Sequence, residues 1–490
     1  MTASAQQLDQ DDIQGLVARG YAKLPSARFF LLQIHDPSLA RRYVRRISAL
    51  VNTVRTSPTD IALQIAFTAD GLARLGVPET ALATFSREFL EGMAHPLRAP
   101  VLGDQGDNDP ATWQWGGPAQ PRVHILLLLY AADEATLAQR SAAERDVLAA
   151  NGLAILATKE SQRLPDDKEH FGFLDGISAP AFEGLGSGES RPTKQWTAPF
   201  KAGEFVLGYR NEYGSYTERP SVVPADDPAR ILPDVPGAQR RDLGRNGTYL
   251  VYRELTQDVL GFWSYLARAS REPGDDPTER AIRLGAKMVG RWPSGAPLLT
   301  CPAHDDPRHA NDNRFGFAGD PTGNRCPLGS HIRRSNPRDQ LPVDHSAEDS
   351  VTMVRKHQLL RRGRTFGAPL AETMRPADFL AAGASAPAAL RDQPRGLHFL
   401  CLVGHISRQF ELVQSAWISA ANFGGLFADG DPLIGARRPA PDDNANDDFT
   451  CQAAPVRRKY HGLPQFTRLV GGAYFFLPSI TALRFLAGSP

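Results

Sequence analysis

Two stretches of this sequence gather side chains that could move protons or bind a redox metal. The first is His170-Phe171-Gly172-Phe173-Leu174-Asp175-Gly176-Ile177-Ser178, a GxxDG pattern. An aspartate between glycines is ordinarily a turn device, because both residues tolerate the backbone conformations that turns require. Phe171, Phe173, Leu174 and Ile177 suit a surface turn poorly. A carboxylate held in such an apolar lining is partly desolvated, the setting of a useful proton acceptor. The second stretch is Cys326-Pro327-Leu328-Gly329-Ser330-His331-Ile332-Arg333-Arg334-Ser335-Asn336-Pro337-Arg338. Thirty residues beyond His331 comes Leu359-Leu360-Arg361-Arg362-Gly363-Arg364-Thr365-Phe366-Gly367. On charge alone this is a solvated basic loop with an incidental histidine. A phosphate or nucleic-acid patch is the other reading that charge allows, and it lacks interleaved aromatics. His304 and His309 form a weaker, metal-like cluster in a loop.

Four segments that could carry these loops share one pattern, an apolar strand, a polar break and an amphipathic helix. Strands are predicted at 28–34, 124–130, 247–254 and 396–402, followed by helices at 38–54, 133–150, 256–270 and 407–420. Further strands are predicted at 61–67 and 153–158. Two units before residue 200 and two after it suggest a duplicated α+β domain, each half a sheet with helices on one face. Long Pro/Gly/Asp-rich tracts at 184–197, 222–244, 296–326 and 429–448 separate the units. Loops of that length in compact domains are usually functional.

Taken in order, GxxDG at 172–176, HxRxxNPR at 331–338 and RRGxxFG at 361–367 resemble the dye-decolorizing peroxidases. The likeness continues in Gly396-Leu397-His398-Phe399 and Arg408-Gln409-Phe410-Glu411, and it ends with Asp431-Pro432-Leu433-Ile434-Gly435. Asp12-Ile13-Gln14-Gly15 and the stretch 113–117 look like the larger, bacterial-type members. The resemblance spans essentially the whole chain. It implies two ferredoxin-like domains of antiparallel sheet and helices. Residues 1–200 would carry the GxxDG loop and residues 201–490 would bind haem between sheet and helices. It further implies a peroxidase with one non-covalent haem b per chain. Such an enzyme reduces hydrogen peroxide and oxidises dyes, phenolics or other small aromatic donors through a ferryl intermediate. A haem-handling protein with incidental peroxidase activity is the alternative, and a non-haem duplicated binding protein is the third. Intact Asp175 and Arg361 favour the enzyme, because haem binding alone does not need both.

By the same resemblance His331 is the iron ligand, supported by a carboxylate on its other ring nitrogen. Asp431 fits that carboxylate best and Glu411 is the runner-up. Asp175 would be the distal acid/base and Arg361 would stabilise the charge that develops as the O–O bond breaks. Arg362 and Arg364 are the alternatives to Arg361. Leu397 and Phe399, alternate residues of one strand, would face the distal side of the haem, with Ile177 also in the pocket. Arg333 would meet a propionate. Gly363 offers no polar side chain where some relatives carry asparagine. An acid with an ordinary pKa near ~4 stays ionised where a distal histidine would be protonated, which predicts an acidic optimum. Trp292, Trp417 and Tyr252 could carry oxidising equivalents outward, and the sequence singles out none of them.

Composition narrows the class. The 490 residues suffice for about two to four domains. Lys plus Arg (55) nearly balances Asp plus Glu (54), so bulk charge does not hold this chain to nucleic acid. Apolar runs stay far below the ~20 residues that cross a bilayer, so no membrane partner is expected. Residues 1–15 show neither a basic nor an apolar leader region, and the four cysteines (Cys301, Cys326, Cys401, Cys451) include no CxxC or CxxCH. A reducing cytoplasm and a haem without thioether links are therefore expected. Oligomeric state is left open.

Overall fold

A computed structural model describes residues 7–185, 199–271, 276–341, 346–371, 373–382, 391–438 and 445–488. Its frame is one nine-stranded antiparallel sheet. The first half supplies β1 (Ser26–Ile34), β2 (Ile61–Phe67), β3 (Ile125–Ala131) and β4 (Leu153–Ser161). The second supplies β5 (Thr248–Gln257), the short β6 (Leu360–Arg361) and β7 (Arg364–Phe366), β8 (Gly396–Val403) and β9 (Thr467–Leu477). The order is β4-β1-β3-β2-β9-β5-β8-β6, with β7 also on β8. Each half therefore repeats the same fourth-first-third-second arrangement, which is the ferredoxin-like pattern. A helix follows the first strand of each half: α1 (Pro37–Ser48) after β1 and α3 (Val259–Ala269) after β5. The third strands are followed by α2 (Glu134–Ala150) and by a π-helical segment over residues 407–419.

Local sequence accounts for these elements. The run Ile-Leu-Leu-Leu-Leu-Tyr-Ala of β3 is buried throughout, so both faces can be apolar. Asp36 caps α1 by accepting from the Ser38 and Leu39 N–H groups, and Pro37 sits at the first helical position. Asp133 and Asp258 cap α2 and α3 in the same way.

The halves join through β2 and β9, at Phe67 opposite Phe476. The far edges also meet. The N–H of Gln162, just past β4, donates to the Thr365 carbonyl of β7 (3.0 Å), and the Thr365 hydroxyl donates to the Gln162 carbonyl (2.5 Å). The sheet thus curls into a barrel. Phe29, Tyr130, Leu250, Tyr252 and Leu400 fill its inside, while α1, α2 and the cavity described below lie on the outer face.

Several expectations change. The first predicted helix stops at Ser48, and β5 runs on to Gln257 before α3 begins. The segment at 407–420 is π-helical rather than α-helical, and the predicted loop 184–197 lies, after its first two residues, outside the described residues. The central strand β9 is absent from the sequence reading. Its alternation is broken by a bulge at Leu469/Gly471, where a Cβ on Gly471 would lie 2.3 Å from the Trp115 indole. Also unanticipated are α4 (Pro277–Val289), which packs on α3, and α6 (Ile480–Leu486), which packs on α1. Among the described residues, no helix is long and apolar enough to cross a membrane.

Candidate active site

A cavity of about 240 Å³ opens on the outer face of β5 and β8. Leu255 and Gln257 of β5 and Leu397 and Phe399 of β8 form its floor, and Phe410, Val413 and Ile418 of the π-helical segment form a wall. The GxxDG loop supplies Asp175 and Ile177, the short α5 (His331–Ser335) supplies His331, and β6 supplies Arg361. Gly172 (φ +90°) and Gly176 (φ +77°) take conformations that side chains disfavour, and a Cβ on Gly172 would meet Phe379 at 2.9 Å. The pattern is thus a backbone requirement that aims Asp175 into the cavity.

His331 Nδ1 lies 2.9 Å from Asp431 Oδ2. The other oxygen of Asp431 accepts the Leu433 and Ile434 N–H groups, both at 2.9 Å, so the carboxylate is locked. Its acceptor character puts the proton on Nδ1 and leaves the Nε2 lone pair free. Burial lowers the His331 pKa, but the charge and hydrogen bond of Asp431 outweigh it and the net shift is upward. Burial likewise pushes Asp431 up, and His331 with the loop N–H groups brings it below the usual carboxylate range. Arg334, fully buried, bonds the carbonyls of Trp417, Ala420 and Asp429 and so ties α5 to the segment that carries Asp431.

Asp175 Oδ1 accepts from Arg361 Nη1 at 3.0 Å and from the Gly176 N–H at 2.6 Å. Their side chains are 40% and 37% exposed, but the surface faces the cavity, so protein surrounds them both. Burial raises the Asp175 pKa; Arg361, the Gly176 N–H and the positive potential of His331 more than offset this, leaving it below the ordinary value.

The structure separates the remaining expectations. Arg362 turns to the Leu16 and Val17 carbonyls, and Arg364 to those of Leu24 and Gly20, so neither points into the cavity. Glu411 is held by Arg98 (2.7 Å) and Tyr474 (2.8 Å), away from His331. Arg333 is a correction. Its guanidinium is buried against Phe317 and bonded to Asp320 and the Cys326 carbonyl, outside the lining. Helical spacing is the reason, since a residue two after His331 points to another side of α5. Arg338 lines the cavity instead, stacked on Phe315 and bonded to Asn313. A Cβ on Gly363 would lie 2.8 Å from the His398 carbonyl, so this position has no room for an asparagine. His309 gathers with Cys301 and Asp306 rather than His304, but Arg308 already engages the Asp306 carboxylate at 2.7 Å.

Sequence reasoning missed Glu169. This half-buried carboxylate of the cavity lining accepts from the Phe171 and Phe173 N–H groups and from Gln257 Nε2, tying the GxxDG loop to β5. Burial, opposed by those three donors and reinforced by the charge of Asp175, pushes its pKa up to about 7. Its only sequence signal is its place two residues before Phe171.

Relatives match this chain over most of their own length. A dye-decolorizing peroxidase of Mycena epipterygia is 28% identical over 98% of this chain and 88% of its own length. A multifunctional dye peroxidase of an Amycolatopsis species is 27% identical over 97% of this chain and 95% of its own. The crystal structure of the decolorizing peroxidase of Auricularia auricula-judae superposes with a TM-score of 0.75 at 26% identity, covering 98% of this chain and all of that one. Over nearly its whole length the chain is similar to dye-decolorizing peroxidases. It is a peroxidase, and that likeness implies a haem cofactor. No family model matches it. The donor set fits such a cofactor: a carboxylate-backed imidazole with a free nitrogen, an acid/base and a guanidinium open onto one largely apolar cavity of this peroxidase fold.

Proposed function

We propose that this chain reduces hydrogen peroxide at a haem b held without covalent links in the cavity, and that it oxidises dyes, phenols and other small aromatic donors. The observation that carries the reading is the pairing of His331–Asp431 (2.9 Å) and Asp175–Arg361 (3.0 Å) around one cavity. In that role His331 Nε2 is the iron ligand. Asp431 keeps the Nδ1 proton in place and makes the imidazole more electron-donating. Ile177, Leu397 and Phe399, which line the cavity, would bound the cofactor's apolar surface, and the Arg338 guanidinium in the same lining would hold its carboxylates. The haem supplies the two-electron oxidation by peroxide and the return in one-electron steps. Asp175 would take a proton from one oxygen of peroxide and deliver it to the other, which would leave as water. Arg361 holds Asp175 ionised and opposes the charge on the departing oxygen.

The fold repeat supports a division near residue 200 into a first half carrying the GxxDG loop and a second half, 201–490, carrying the iron ligand. Four free cysteines support a reducing, cytoplasmic location. Rapid mixing with peroxide tests the chemistry. The wild type should form its oxidised species within the mixing experiment, Asp175→Asn should form it much more slowly, and His331→Ala should lose the haem absorption band. Equal rates in wild type and Asp175→Asn would overturn the assignment of the base.

A further inference from the structure

A second redox-competent pair lies inside the barrel, on the face of β5 and β8 opposite the cavity. Leu255 and Phe399 look outward, so Tyr252 and His398, each an odd number of residues away, look inward. Both are buried. The Tyr252 hydroxyl lies 2.9 Å from His398 Nδ1, and His398 Nε2 lies 3.0 Å from the Glu160 carbonyl. A carbonyl can only accept, so Nε2 carries the proton and Nδ1 is bare. The phenol is therefore the donor. Burial holds the imidazole pKa down to about 4, so the ring is neutral and ready to accept a proton. Tyr21 and Tyr130 share this interior, yet among the described residues their buried hydroxyls have no hydrogen-bond partner and so no base to take the proton.

We propose that Tyr252 and His398 form a proton-coupled one-electron redox site that holds an oxidising equivalent inside the barrel. This rests on the peroxidase reading of the cavity. Tyr252 gives one electron to the peroxide-oxidised cofactor across the thickness of the sheet. Its phenolic proton passes to His398 Nδ1, so the products are a neutral tyrosyl radical and an imidazolium. Without that acceptor, oxidation would leave a charged phenol radical in an apolar core, at a large desolvation cost. The charged groups that bear on His398 are Glu254, which favours the imidazolium, and Lys159, which opposes it. They pair with each other at 2.7 Å. The remaining ring neighbours are Phe29 and Phe366. Trp115 lies 4.8 Å from Tyr252 between ring centroids, and its indole N–H donates to Glu254 at 2.5 Å. Of the aromatic rings beside Tyr252, Trp115 has a proton acceptor of its own, whereas Phe29, 6.2 Å away, has no exchangeable proton.

The test is freeze-quench electron paramagnetic resonance of haem-loaded enzyme mixed with peroxide and no donor. The wild type should give a tyrosyl signal whose high-field g-tensor shows a hydrogen bond and whose line shape changes in D2O. Tyr252→Phe should abolish it, and His398→Gln should diminish it while leaving haem binding intact. A wild type that turns over peroxide with a donor but gives the same signal in Tyr252→Phe, or no tyrosyl signal at all, overturns the proposal alone. A wild type without peroxide turnover overturns the cavity reading and the proposal with it. Imidazole nitrogen resonances of the haem-free protein give a readout independent of activity. His398 should stay the neutral Nε2–H tautomer from about pH 5 to 8, and its titration in that range would overturn the proposal.

Discussion

Replacing Arg361 with leucine removes the cation that, among the described residues, bonds the Asp175 carboxylate, at 3.0 Å. Unit charges about 4 Å apart interact by about 4 kcal/mol at an effective dielectric of about 20. Fully exposed pairs are worth only about 0.2–1 kcal/mol. With 37% and 40% of the two side chains open to the cavity, the pair falls between these limits. About 1.5–3 kcal/mol is expected, or about one to two pH units at 1.36 kcal/mol per unit. The sign follows from the wild type. Arg361 keeps the Asp175 pKa below the ordinary carboxylate value, so the base stays ionised as pH falls through about 4. Without Arg361, burial is opposed only by the Gly176 N–H and His331, and the pKa rises. The assay is kcat/KM for peroxide against pH with a readily oxidised donor. In Arg361→Leu the acid limb should move up by about one to two units. A separate, pH-independent loss of about 10²–10³-fold is expected from the missing electrostatic stabilisation. Arg361→Lys keeps the charge and should keep the limb near its wild-type position. A limb that stays in place in Arg361→Leu, or moves down, would refute the claim that this guanidinium sets the ionisation of Asp175.

Asp431→Asn keeps a hydrogen-bond acceptor for His331 Nδ1 but removes the charge, so the iron(III)/iron(II) potential measured by spectroelectrochemistry should rise. Glu169, whose pKa is pushed up to about 7, binds a proton more tightly in the folded chain than in the unfolded one. Its contribution is therefore full below about pH 4 and falls away as pH rises to about 7, by up to a few kcal/mol. Urea unfolding at several pH values should show this slope in the wild type and not in Glu169→Gln. The ion pair of Arg253 and Asp104 is buried, with side chains 6% and 1% exposed. Arg253→Met should cost about 3–5 kcal/mol in urea unfolding because it strands the carboxylate.

Much of the fold was legible because its strands are strong apolar runs punctuated by capping residues. Asp36, Asp133 and Asp258 mark helix starts that a sequence reader can see. Strand β9 was not legible, because Gly471 and Gly472 interrupt its alternation to admit Trp115 and Met93. The π-helical winding at 407–419 was invisible for another reason. Its residues have the amphipathic pattern of an ordinary helix, and the choice is made by tertiary contacts such as Gln409 with Glu204 and Gln358. At the site, His331, Asp175, Arg361 and Asp431 were placed by motif. Arg333 was misplaced because adjacency in sequence says nothing about which side of a short helix a residue takes. Glu169 was missed because its role is to bond backbone N–H groups, and no motif announces that.

The seam that closes the barrel has a bearing on how the enzyme is made. Gln162 and Thr365, the two sides of the seam, stand close in sequence to Asp175 and Arg361 respectively. During synthesis the ribosome releases the GxxDG loop long before the arginine exists. Once buried, Asp175 needs that guanidinium to stay charged. The contact that closes the barrel and the pair of Asp175 with Arg361 thus both join the two halves, and a chain interrupted between them carries the proton acceptor without its guanidinium.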